Sequence, residues 1–186
     1  SPSRGLGDVY KRQSEFRYRD PILEENGLVV IISQSGETAD SLAALRLCRE
    51  RGVRTLAVVN VVGSSIAREA DSVMYTWAGP EIAVATTKAY STQMAVLDLL
   101  AVYLAAQRNT ISAEEANRLT AAIAALPAQV EQILSSREQI QYYASQYFNH
   151  DSVFFIGRNL DYALGMEGSL KLKEISYIPV SYTHLT

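Results

Sequence analysis

Six consecutive residues, Ser33-Gln34-Ser35-Gly36-Glu37-Thr38, hold the densest set of groups able to bind an anion. Ser33, Ser35 and Thr38 bring hydroxyl donors, Gln34 brings an amide, and Gly36 allows close backbone approach. The segment lies between an apolar run and a helical pattern. Free backbone N–H groups and the positive end of a helix dipole converge at such a place. A neutral, hydroxyl-rich cradle suits a phosphate monoester that arrives without a metal, so no metal is expected. A Walker loop would need a lysine after its glycine, and a dinucleotide site would need further glycines. Neither is present, and no cofactor is expected. Capping a helix needs one hydroxyl. Three hydroxyls with an amide exceed that need, which favours an anion site over a cap.

A second group of charged residues reads more plainly. Glu167, Lys171 and Glu174 fall at i, i+4 and i+7, the spacing of an ordinary surface ion-pair ladder. The single cysteine, Cys48, has no internal partner for a disulfide and sits in a helical pattern as a structural thiol.

The elements around these residues alternate. Gly27 to Ser33 is a continuous, β-branched run that predicts a parallel strand buried on both faces. Glu37 to Arg51 repeats Ala39, Leu42, Leu45 and Cys48 at helical spacing, and Gly52 supplies a stop. Thr55 to Asn60 predicts a second buried strand, Ser65 to Ala70 a short helix, and Ser72 to Thr76 a third strand. That order is α/β, an open parallel sheet flanked by helices. Strand ends of such a sheet are where ligands sit. Thr87 to Gln107 predicts a long apolar helix, buried against a sheet or another subunit. Ser112 to Glu115 has the form of a capping box, opening a helix to about Leu126. Pro127 punctuates it and can open a further helix to about Leu134. Arg137 to about Phe148 is helical, Val153 to Gly157 strand-like and Asp161 to Ile175 helical. The domain reading is therefore one partial α/β domain over 14–136 and the start of a second over 137–178.

Residues 1–13 and 179–186 match no element that the flanking pattern requires. Both strings look like translated adapter sequence, so they are read as non-native extensions. His184, in the second of them, carries no functional weight. Hydrophobic residues make up 48% and charged residues 20% of the 186, which argues against wholesale disorder. A net charge of −3 with scattered basic residues gives no footprint for nucleic acid. The longest apolar runs, such as Leu28 to Ile32, are too short to cross a bilayer. With no charged leader and apolar core at the start, a cytoplasmic protein without membrane partners is expected.

Five segments occur in order: SEFRYRDP from Ser14, SQSGETADSL, NVVGSS from Asn60, EIAVATTKAY from Glu81, and EGSLKLKEISY from Glu167. The series resembles the isomerase half of the glucosamine-6-phosphate synthase family, the isomerizing glutamine–fructose-6-phosphate aminotransferases. The resemblance covers Ser14 to Ile178. SQSGET alone points only to a SIS (sugar-phosphate-binding) domain, while EIAVATTKAY and KLKEISY narrow it. It implies that Ser33, Gln34, Ser35 and Thr38 hold the phosphate of fructose 6-phosphate or glucosamine 6-phosphate. It implies that Val84 touches the sugar through its backbone, with Thr86 and Thr87 beside it. Glu174 matches the glutamate that carries a proton between C1 and C2, a step that needs a carboxylate base. Lys171, one helical turn before it, biases its charge state.

The same resemblance implies a homodimeric parent and an internal fragment here. The glutaminase domain would lie upstream, and a ring-opening histidine and a Schiff-base lysine downstream, so these residues alone are not a competent enzyme. Two other readings stay in view: a SIS module that senses a sugar phosphate without turnover, and a purely structural interaction domain. A sensor has no need for the proton shuttle at Glu174, and a structural domain leaves the polar SQSGET turn without a purpose.

Overall fold

The computed structural model describes Phe16 and residues 21–24, 26–83 and 85–184. The expectation for residues 1–13 falls outside them. The chain divides into two compact units, the described residues up to Glu81 with Lys88–Leu97, and Ile82–Thr87 with the described residues from Asp98 onward. The split follows packing, and it groups the long helices after Asp98 with the later strands rather than with the first sheet.

In the first unit, β1 (Leu28–Ser33), α1 (Ala39–Glu50), β2 (Arg54–Val59), α2 (Ser65–Glu69) and β3 (Ser72–Tyr75) follow one another. The strands form a parallel sheet in the order β1-β2-β3, with Ser33 opposite Val59 and Val59 opposite Tyr75. Central β2 is buried from Thr55 to Val59, on both faces as its unbroken apolar run predicts. β1 departs from the expectation. Ile31 and Ser33 are buried, but Leu28 and Val30 are 48% and 36% exposed. Among the described residues β1 has a strand on one side only, and α1 packs on it.

Ile31, Ala57 and Val59 of the sheet meet Leu45 of α1 and Ile66 of α2 in the core. α1 buries Ser41, Ala44, Leu45 and Cys48, which share one helical face. Burying a side chain such as Leu45 or Ile66 contributes about 1.5–3 kcal/mol. Gly52, at φ +71, ends α1: the Val53 N–H donates to the Cys48 carbonyl and the Gly52 N–H to that of Arg49. Burial pushes the Cys48 thiol pKa up, against the nearby charge of Arg51, as befits an unreactive structural thiol.

α3 (Lys88–Gln107) runs from the first unit into the second. Only Ala89 in it is buried, and Met94, Tyr103 and Leu104 are exposed, so the described residues cover the helix only in part. By length and composition alone it is long and apolar enough to span a bilayer, which the shorter runs picked out in the sequence are not.

The second unit continues with α4 (Ala113–Leu134), α5 (Arg137–Tyr147), β4 (Val153–Gly157), α6 (Leu160–Ser176) and β5 (Val180–His184). The Ser112 hydroxyl accepts from the Glu115 N–H at 3.1 Å, but the Glu115 carboxylate grips Arg118 instead of reaching back. Half of the capping box forms. Pro127 lies inside α4 and does not end it. It removes one N–H donor, yet alanine-rich sequence on its amino-terminal side and Ala128-Gln129 after it favour continuing the helix.

β4 and β5 pair in parallel, Val153 opposite Val180 and Gly157 opposite His184, with α6 packed on both. This corrects the expectation that residues 179–186 form no element. Val180 is 6% exposed, and the Val153 N–H donates to the Pro179 carbonyl. The β-branched and aromatic run VSYT suits a strand once β4 offers an open edge.

Candidate functional site

β1 ends at Ser33 beside the end of β2, and the polar turn opens from there into α1. Ser33 is buried, Gln34 half-buried, and Ser35 and Thr38 exposed. The Ser33 hydroxyl accepts from the Gly36 N–H at 3.0 Å and lies 3.2 Å from the Thr38 hydroxyl. The Ser35 hydroxyl accepts from the Glu37 N–H at 3.2 Å. Thr38 is the N-cap residue of α1 and makes no side-chain cap hydrogen bond. The first N–H groups of a helix have no intrahelical acceptor. None of the three hydroxyls therefore serves as the cap, which was the competing explanation for them.

Neighbouring segments hold the turn. The Asn60 N–H donates to the Gln34 carbonyl at 3.2 Å and the Ile66 N–H to the Gly36 carbonyl at 3.0 Å. The Ser65 N–H donates to Glu37 Oε1 at 2.7 Å. Ser65 holds the Glu37 carboxyl below its ordinary value, first through its side-chain hydroxyl and then through this N–H, opposed by burial and helped by the charge of Arg68. Gly36 sits at φ +68, and a Cβ there would fall 2.1 Å from the Ser64 hydroxyl oxygen. The Asn60 amide clamps the next strand end: its oxygen accepts from the Thr76 hydroxyl and the Ala78 N–H, and its nitrogen donates to the Gly79 carbonyl. Trp77, inside that turn, takes φ 53, a conformation that bulky residues rarely adopt.

Of the remaining expected residues, Thr86, Lys171 and Glu174 belong to the second unit. Thr86 is half-buried, and Val84 lies outside the described residues. On α6, the Lys171 ammonium lies 3.0 Å from Glu174 Oε2 and 3.4 Å from Glu167 Oε1. Partial burial pulls the Lys171 pKa down, but the Glu174 hydrogen bond and the charges of Glu167 and Glu174 outweigh it and hold it above its ordinary value. This is the ladder that the spacing predicts. It also makes Lys171 a firmly cationic neighbour of the Glu174 carboxylate. Glu37, Asn60 and Ser64, which build the turn's surroundings, were not singled out from sequence, because their partners lie far along the chain.

Hydroxyls at the carboxyl end of a parallel strand, facing a helix start that no side chain caps, make an α/β sheet able to hold an anion. The chain belongs to the SIS domain family, whose model matches residues 8–103. It is 59% identical over 174 residues, 94% of its length, to a glutamine–fructose-6-phosphate aminotransferase (isomerizing) of Symbiobacterium thermophilum. It is 54% identical over 165 residues, 89% of its length, to the protein of the same name in Clostridium acetobutylicum. The chain spans 29% and 27% of the lengths of these curated relatives. Among solved structures, it is similar to the C-terminal domain of glucosamine-fructose-6-phosphate aminotransferase from Francisella tularensis. The TM-score is 0.89 at 37% identity, covering 92% of this chain and 49% of that one. A phosphosugar isomerase structure from Clostridium difficile, itself assigned by inference, follows at TM-score 0.79 and 25% identity, covering 88% and 47%.

Proposed function

We propose that the chain is the sugar-phosphate-binding part of an isomerizing glutamine–fructose-6-phosphate aminotransferase, and that it contributes to the ketose–aldose step. In this reading Ser33, Gln34, Ser35 and Thr38 hold the phosphate of fructose 6-phosphate, with Val84 and Thr86 beside the sugar. Glu174 takes a proton from C1 or C2 and returns it to the other carbon, with the Lys171 ammonium 3.0 Å from its carboxylate. The first SIS domain would end near residue 136 and a second begin at 137, where β4, α6 and β5 follow. The full-length protein would act in the cytoplasm as a homodimer, with the uncovered apolar circumference of α3 buried between subunits. Sedimentation of that protein at micromolar concentration checks this, and a monomer would count against it.

The observation that carries the proposal is the uncapped start of α1 facing three hydroxyls in one turn. A sensing module without turnover is the second reading. Its support is the Glu167–Lys171–Glu174 ladder, which a surface helix adopts without any catalysis. Titration calorimetry with fructose 6-phosphate tests the shared claim. Ser35→Ala removes a hydrogen bond to a charged acceptor, about 1.5–3 kcal/mol, so affinity falls roughly ten- to hundredfold with an unchanged circular dichroism spectrum. Unchanged affinity would mean that the turn is not the phosphate cradle.

A further inference from the structure

The turn after β1 leaves its own helix uncapped and caps the neighbouring one. Ser64 is the N-cap residue of α2 and is only 3% exposed, yet its hydroxyl makes no cap bond and has no protein partner. Two of the helix's opening donors are already taken: the Ser65 N–H by Glu37 Oε1 and the Ile66 N–H by the Gly36 carbonyl. Glu37 and Ser65 are 28 residues apart in sequence, so this bond joins two strand-end turns that local propensity does not connect.

The chemistry makes a carboxylate here unexpected. Its charge repels a phosphate held in the same turn. Its ordinary use, just ahead of a helix, would be to favour the α1 dipole, but the side chain is turned to α2 instead. Arg68, which donates to the Gly63 carbonyl and lies 3.3 Å from the Ser65 hydroxyl, offsets part of the Glu37 charge.

We propose that Glu37 is a positioning residue for anion binding: by accepting the Ser65 N–H it fixes the Ser33–Thr38 turn against the β2–α2 turn and leaves the α1 start open. The inference rests on reading the Ser33–Thr38 turn as the sugar-phosphate site. Glu37 touches no ligand in this account and acts through Ser35, Thr38 and the α1 donors.

The test is calorimetric titration of the full-length protein with fructose 6-phosphate, with a thermal melt of each variant. Glu37→Ala should weaken affinity about five- to tenfold, as expected for loss of one positioning hydrogen bond. Glu37→Gln should stay within about twofold, because its amide oxygen accepts the same N–H. Charge alone predicts the reverse, tighter binding in both. A merely structural role predicts a lower melting temperature for Glu37→Ala and unchanged affinity. Either result overturns the proposal.

Ser65→Pro removes the donor from the other side, at the first helical position, which proline tolerates. Ser64, at φ −61 and ψ 163, already has the extended backbone that precedes a proline. It should weaken binding as Glu37→Ala does and add nothing in the double variant; additive losses overturn the proposal, and if Glu37→Ala folds poorly, unchanged affinity in Ser65→Pro alone overturns it. If Ser35→Ala leaves affinity unchanged, the sugar-phosphate reading fails and this inference with it. If Ser35→Ala weakens binding and Glu37→Ala does not, only this inference fails.

Discussion

Under the proposed function, Glu174→Gln, introduced into the full-length protein, is expected to slow isomerisation by about two to four orders of magnitude while fructose 6-phosphate binds nearly as before. Glutamine keeps the size of the side chain and can still accept a hydrogen bond from Lys171, 3.0 Å from the carboxylate in α6. It cannot take a proton from carbon. The loss should therefore appear in kcat and leave KM close to the parent value. Isomerisation of fructose 6-phosphate, followed separately from glutamine hydrolysis, is the measurement. A drop of less than about tenfold would assign Glu174 to the ion-pair ladder alone. No turnover in the parent protein, with phosphate binding intact, would favour the sensing module.

Gly36→Ala should destabilise the first unit by about 2–5 kcal/mol, a large share of the 5–15 kcal/mol that usually holds a domain together. Two costs combine. A left-handed backbone, here φ +68, costs an L-residue about 1–2 kcal/mol. The new methyl would also lie 2.1 Å from the Ser64 hydroxyl oxygen and 2.6 Å from its Cβ. Overpacking of that kind costs about 1–3 kcal/mol. Ser64→Gly removes both obstructing atoms, so the double variant should retain only the backbone cost. Urea unfolding of the four proteins in the cycle separates the terms. If Gly36→Ala were as stable as the parent chain, the turn would not have this conformation, and the spacing between Gly36 and Ser64 would need another explanation.

The two predictions draw on different kinds of legibility. The strand-turn-helix around Ser33 was readable because its signals are local: an unbroken apolar run, a polar turn with glycine, then apolar residues at helical spacing. The observed β1, α1, β2, α2, β3 and β4 each lie within two residues of the ends expected from sequence. Hydroxyls crowded into the turn likewise pointed to an anion before any geometry was known. The role proposed for Glu174 rests on resemblance alone, because Glu167, Lys171 and Glu174 spell an ordinary ladder, and the ladder is what forms.

Residue types and their periods determined the elements of this protein and the chemistry its main turn can offer. Neither Glu37 nor Ser65 carries a local mark of the bond between them, and Gly36 shows its need for a missing side chain only against Ser64. Local sequence pointed the other way on three matters: Leu28 and Val30 are exposed, α4 runs through Pro127, and residues 180–184 add a strand to β4. The physical reason is common to all of these. Backbone propensity acts over a few residues, whereas caps, strand edges and close approaches depend on which distant segment folding brings alongside. The tertiary structure alone decided that the turn's own helix stays open while its neighbour is capped.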